Sequence, residues 1–167
     1  ELARTVNISF AGVGADLRVF VNGEEVTGLI RTEAVSQFAS RISTFPEVRV
    51  ALVEKQRELG KRYGNVVTEG RDQGSVVFPD AGLKLYLDAE VSERARRRYD
   101  QLLAQGQPAD YEKILQALKE RDFRDKTREA SPLIVPQGAV VIDTTHMTPA
   151  QVLERIIQLV QERSKGK

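Results

Sequence analysis

The segment Thr68-Glu69-Gly70-Arg71-Asp72-Gln73-Gly74-Ser75-Val76-Val77-Phe78-Pro79-Asp80 sets an arginine and an aspartate side by side between two glycines. Arginine offers a rigid fork of N–H donors that matches phosphate oxygens, and an ionised aspartate accepts from an amine. Glycines on both sides allow a sharp turn and a close approach to a ligand. These are the parts of a nucleoside-monophosphate site. A tight loop in which Arg71 and Asp72 pair only with each other uses the same residues, because polar residues dominate any loop. Placement separates the two. If Val66-Val67 opens a strand running to Thr68, the pair lies at its carboxyl end, where open α/β sheets bind ligands.

A second set of cations lies further along. Arg94, Arg97 and Arg98 stand at i, i+3 and i+4, and Arg121, Asp125 and Arg128 at i, i+4 and i+7, so each trio shares one helix face. Segment 92–128 holds ten Lys/Arg against seven Asp/Glu. A solvated face laced with ion pairs is the usual outcome of such a pattern. The preponderance of arginine, on either side of a Gly106–Pro108 bend, suits instead a hinged pair of helices closing over a polyphosphate. Ser40 and Arg49, on helices broken at Pro46, read as surface residues when taken alone. Phe45-Pro46 reads as a packing corner and His146 as a loop residue.

Several chemistries find no support. The phosphate-cradling pattern Gly-x-x-x-x-Gly-Lys-Ser/Thr occurs nowhere in the 167 residues. With no cysteine and one histidine, thiol catalysis is excluded and no metal site is expected. A net charge of +1 argues against a binder of nucleic-acid polymers or membrane surfaces. No apolar run approaches the roughly 20 residues that span a bilayer, and Glu1-Leu2-Ala3-Arg4 is not a secretory leader. The cytoplasm is the expected compartment.

The elements that must position these residues follow from periodicity. Val6–Phe10 and Leu17–Val21 alternate apolar with polar and predict a hairpin, with Asn22-Gly23 as a turn and Val26 opening a third short strand. Helical spacing begins at Thr32, restarts at Pro46 and continues to about Arg62. Val66-Val67 and Leu83–Leu87 read as strands. Ser92 is the expected cap of a helix to about Gln105, and a second runs from about Tyr111 to Glu129. Ala139–Asp143 reads as a buried strand, and a last helix starts at Thr148-Pro149. Alternation of strand and helix after residue 65 predicts an α/β fold with a parallel sheet. The first 30 residues form an antiparallel excursion, and 91–131 an arginine-rich helical insertion.

Five stretches, in order, resemble the bacterial cytidylate kinases. They are Gly23–Arg31, Phe45-Pro46-Glu47-Val48-Arg49, Glu69–Ala81, Lys119-Glu120-Arg121-Asp122-Phe123-Arg124-Asp125, and Arg128 ahead of Ser131-Pro132-Leu133. The resemblance covers essentially the whole chain. It implies a P-loop nucleoside-monophosphate-kinase fold in which 1–65 is the CMP-binding subdomain, 66–90 with 132–167 the core, and 91–131 the lid. It implies phosphoryl transfer from ATP, with Mg²⁺, to CMP or dCMP. Ser40, Arg49 and Asp72 match positions that read cytosine. Arg71 and Arg128 match the arginines on the acceptor phosphate, Arg121 and Asp125 those on the ribose hydroxyls, and Arg97 and Arg98 the lid over the ATP phosphates.

The family's phosphate-binding loop, on the strand that opens its parallel sheet, has no counterpart in the 167 residues, which begin with Glu1 rather than Met. The expectation is a chain lacking that central strand and inactive alone, since phosphoryl transfer depends on that cradle. Two alternatives remain open. One is a non-catalytic CMP-binding module, or the complementing half of a split kinase whose amino-terminal segment acts in trans. The other is a structural domain whose arginines pair only with local acids.

Overall fold

The computed structural model describes residues 2–12 and 14–165. The chain divides into two compact units, Glu1–Val67 and Thr68–Lys167.

In the first unit a single turn α1 (Leu2–Thr5) precedes three antiparallel strands, β1 (Ile8–Ala11), β2 (Arg18–Val21) and β3 (Glu24–Glu25), in spatial order β1-β2-β3. Ile8 faces Val21 and Phe20 faces Glu25. The expected turn is formed by Asn22 and Gly23 at φ 51° and 86°, as a two-residue hairpin loop matched to strand twist requires. β3 is shorter and earlier than expected, although the Val26 amide still donates to the Val19 carbonyl at 2.9 Å. Thr32 caps α2 (Glu33–Ile42), its hydroxyl accepting from the Val35 amide. Pro46 occupies the first turn of α3 (Pro46–Tyr63), where its missing N–H costs nothing. Phe45 is 56% exposed, so the corner is a backbone cap and not the packing corner its residues suggest. Lys55 of α3 donates to the carbonyls of Val6 and Arg4, tying α1 to that helix.

The second unit contains β4 (Leu85–Asp88), α4 (Val91–Ala104), α5 (Tyr111–Thr127), β5 (Val140–Asp143) and α6 (Pro149–Lys165). β4 and β5 are parallel, with Leu85 opposite Val140 and Asp88 opposite Asp143. Parallel strands need a long crossover, here supplied by α4 and α5. The expected α/β character is therefore present, as a parallel pair with helices and a separate antiparallel sheet. Gly106, at φ 69°, ends α4. The amides of Gly106 and Gln107 donate to the carbonyls of Leu103 and Leu102, which satisfies groups a helix end otherwise leaves orphaned. At the start of α6, the Thr148 hydroxyl accepts from the Gln151 amide while the Gln151 side chain accepts from the Thr148 amide. Val77, Ala89, Ala95, Ile142 and Leu159 form the buried core. No described helix is long and apolar enough to cross a membrane.

Three further expectations are corrected. Val66-Val67 forms no strand: it pairs with nothing among the described residues, and Val67 is fully exposed. Two apolar residues without a neighbouring ladder leave backbone groups better satisfied by water. β5 is not buried throughout, because Ile142 is buried while Val141 is 55% exposed. Ser92 is not a cap; α4 starts two residues earlier than a Ser92 cap requires, after Glu90, and the Ser92 hydroxyl donates to the Glu90 carboxylate.

Candidate functional site

Arg71 and Asp72 enter not from a strand but from the start of a π-helical turn, Gln73–Val77. The Asp72 carbonyl accepts from the amides of Val76 and Val77 at 2.9 and 3.1 Å. Val77 is 1% exposed and anchors the turn in the core. Single π turns of this kind recur at functional sites. The flanking glycines serve close approach: neither Gly70 nor Gly74 has positive φ. A Cβ on Gly74 would stand 3.0 Å from Pro136 Cγ and 3.3 Å from the Lys84 stem, and one on Gly70 would stand 3.0 Å from the Gln73 side chain.

The second unit gathers three of the predicted residues around the carboxylate of a fourth. Asp125, 6% exposed on α5, has Oδ2 at 3.2 Å from Arg71 Nε and 3.8 Å from Arg121 Nε. Its Oδ1 accepts from Arg128 Nη1 at 3.3 Å. Arg128, almost as buried as Asp125, also donates from Nε to the Ser131 carbonyl at 2.8 Å. Ser131 reaches that position at φ 53°, and the Leu133 amide donates back to the Asp125 carbonyl at 2.7 Å. Three guanidinium groups thus share one carboxylate. Counted over these four side chains, the formal charge is +2 in a half-buried place, which attracts an anion with several oxygens. Asp72 is buried beside Arg71 in sequence, but Arg71 makes its ion pair with Asp125.

Arg97 and Arg98 sit elsewhere. Arg97 Nε donates to Glu93 at 2.8 Å, and its two terminal nitrogens turn onto Thr144 Oγ1 and the carbonyls of Thr144, Thr145 and Met147. Arg98 donates to the Gln101 side chain. Arg96 bridges Glu93 and Asp100. The Glu93 carboxyl is held below its ordinary value, first by its hydrogen bond from Arg96, with a further lowering from Arg97. Asp143 is likewise lowered, chiefly by the Thr145 hydroxyl and amide; the exposed turn residue His146 adds a smaller pull.

In the first unit, Ser40 and Arg49 meet at the α2–α3 corner through Ser43. The Ser43 hydroxyl donates to the Ser40 carbonyl at 2.9 Å, and Arg49 Nη1 donates to the Ser43 carbonyl at 3.1 Å. Sequence reasoning missed the residues that hold the Asp125 cluster in place: Ser131, whose signal is only its position ahead of Pro132, and Val77, one apolar residue in a polar loop. Among the described residues no group of three or more His, Asp or Glu side chains could hold a metal ion.

Comparison with known proteins fits this arrangement. Residues 1–162 match the family model described as cytidylate kinase. A cytidylate kinase of Caldanaerobacter subterraneus is 45% identical over 166 residues, which is 99% of this chain and 72% of the relative. That of Mycobacterium leprae is 47% identical over 147 residues, covering 88% of the chain and 66% of the relative. That of Actinobacillus succinogenes is 39% identical over 98% of the chain and 72% of its own length. The chain spans about two thirds to three quarters of the length of these relatives.

Proposed function

The chain belongs to the cytidylate kinase family, and on that premise we propose that it carries the acceptor side of an ATP-dependent phosphorylation of CMP or dCMP. In that reaction an oxygen of the acceptor phosphate attacks the γ-phosphorus of ATP, the bond to the bridging oxygen breaks, and CDP (or dCDP) and ADP leave. The observation that carries the assignment is the surplus of cation around Asp125. Arg71 and Arg128 take the acceptor phosphate, while Arg121 and Asp125 take the ribose hydroxyls. A carboxylate that accepts from a vicinal diol suits the second role.

Ser40, Arg49 and Asp72 are assigned to cytosine reading on the strength of the family motifs they occupy. A carboxylate accepts from the exocyclic amine of cytosine. Uracil would set a carbonyl oxygen against Asp72, two acceptors opposed, at a cost of about 1–3 kcal/mol. Residues 1–65 form the CMP-binding subdomain, 91–131 the lid, and the rest the core. Arg97 and Arg98 are the lid residues for the donor phosphates, and Arg97 must leave its contacts at 144–147 to act there.

Mg²⁺ that accompanies ATP is held largely by phosphates and water, and among the described residues no cluster of three or more His, Asp or Glu side chains is placed to hold it. The phosphate-cradling pattern is absent from the 167 residues, so Arg97 and Arg98 are the only residues assigned to the donor side, and the chain alone is expected to bind the acceptor without efficient turnover. Calorimetric titration with CMP and UMP, on wild type and Asp72→Asn, tests the assignment. Wild type should prefer CMP by at least roughly tenfold, and Asp72→Asn should lose that preference. Equal affinities in folded wild-type protein would reject it.

A further inference from the structure

Asp125 can collect Arg71 only if the turn carrying Arg71 and the helix carrying Asp125 are set on a common frame. The turn is registered at the start of β4, where Gly74 packs so closely against the Lys84 stem and Pro136 that a Cβ would stand 3.3 and 3.0 Å from them. The helix is registered at the other end of the same strand. Arg94 of α4 donates from Nε to the carbonyl of Ala89, directly after β4, at 3.0 Å. Its two terminal nitrogens grip both oxygens of Asp122 on α5 at 3.2 and 2.6 Å. Asp122 lies one residue after Arg121 and three before Asp125. Both ends of this fork are half-buried, so the bidentate pair is oriented and only partly screened.

Tyr86 in mid-strand registers the same convergence. Its hydroxyl pKa is raised, chiefly by burial and next by Asp88; Arg71 and Arg94 both pull it down, while Asp122 raises it.

We infer that Arg94 and Asp122 are positioning residues for the acceptor site: they staple α5 to the end of β4 so that Asp125, Arg121 and Arg128 stand in register with Arg71. Neither is assigned a contact with substrate. Other ion pairs of α4 do not have this effect, because Arg96, Glu93 and Asp100 bind one another within a single helix. The inference rests on the acceptor-site assignment for its functional readout but not for its structural one.

Two measurements on the intact chain test it. The first compares CMP with cytidine affinity in wild type, Arg94→Lys and Asp122→Asn, at a temperature where melting curves show each to be folded. Lysine keeps the charge and loses the fork. The expected result is a roughly tenfold fall in CMP affinity, the scale of a small misplacement of binding groups, with a clearly smaller fall for cytidine, which shares the ribose contacts of Arg121 and Asp125 but has no phosphate to misplace. Parallel loss of both ligands, or a lowered melting temperature with unchanged CMP affinity, would overturn the inference and leave a structural pair only.

The second measurement needs no ligand. In ¹⁵N spectra the Arg71 Nε–H resonance, which in wild type senses the Asp125 carboxylate 3.2 Å away, should move in both variants; an unmoved resonance would overturn the inference. If wild type shows no preference for CMP over cytidine, the acceptor-site assignment fails, and the staple is decided by the Arg71 resonance alone.

Discussion

The arginines of α4 and those around Asp125 are alike in sequence and unlike in consequence. Arg96 and Arg97 share Glu93, and Arg96 also meets Asp100, so two cations face two acids on one helix. Around Asp125 three cations from two segments face a single acid. The first arrangement is complete as it stands, whereas the second has unspent donor capacity in a place where burial makes charge costly to leave uncompensated. Helical spacing is the same in both. What separates them is the ratio of acid to base and whether a second segment delivers a cation to the helix face.

That contrast can be broken most violently at its centre. Asp125→Asn removes the acid that three guanidinium groups share and should cost about 3–5 kcal/mol of stability, read from urea unfolding; a loss below 1 kcal/mol would mean that the cations are held apart by something else. Arg71→Ala should act on ligand more than on fold. Its side chain is a third exposed, and losing a charge-assisted hydrogen bond of about 1.5–3 kcal/mol predicts a roughly 10- to 100-fold weaker CMP complex with little change in unfolding midpoint. If the midpoint falls and affinity holds, Arg71 is a structural residue.

Arg97→Ala sharpens the other half of the comparison. It strips the donors from Thr144, Thr145 and Met147 and should cost about 1–2 kcal/mol of stability, while CMP affinity stays within about twofold. A large loss of CMP affinity would place Arg97 on the acceptor side.

The smallest effect is electrostatic and belongs to Glu93. Its folded pKa lies below its ordinary value near 4.5, so its contribution is present above that value and is lost as pH falls through the folded pKa. The melting temperature of wild type should exceed that of Glu93→Gln at pH 7, with the gap closing as pH falls through the lowered folded value and shrinking in high salt. A gap that depends on neither pH nor salt would show that charge is not its source.

Much of this architecture is legible in the sequence, and the exceptions share a cause. The Asn22-Gly23 turn, the Gly106 terminus and the Thr148-Pro149 start depend on local backbone chemistry, which one residue type fixes. Arg121, Asp125 and Arg128 fall on one face because helical spacing demands it. Val66-Val67 fails as a strand because pairing is non-local: no count of apolar residues reports whether a ladder is available. The π turn at Gln73–Val77 is hidden because glycine at 70 and 74 signals turning freedom, whereas here it marks crowding by Gln73, Lys84 and Pro136. The partners of Arg97 are hidden for the same reason, since Thr144 lies 47 residues away. The staple at Arg94 and Asp122 spans 28 residues and looks, in sequence, like two more charges on a charged helix.

The central claim is that surplus cation around Asp125 is a seat for the acceptor phosphate. Calorimetric titration of wild-type protein with CMP and with cytidine, at low and moderate salt, tests it most directly. The account predicts CMP bound at least roughly tenfold tighter than cytidine, with the margin narrowing as salt rises. Equal affinity for the two, at either salt, would contradict it.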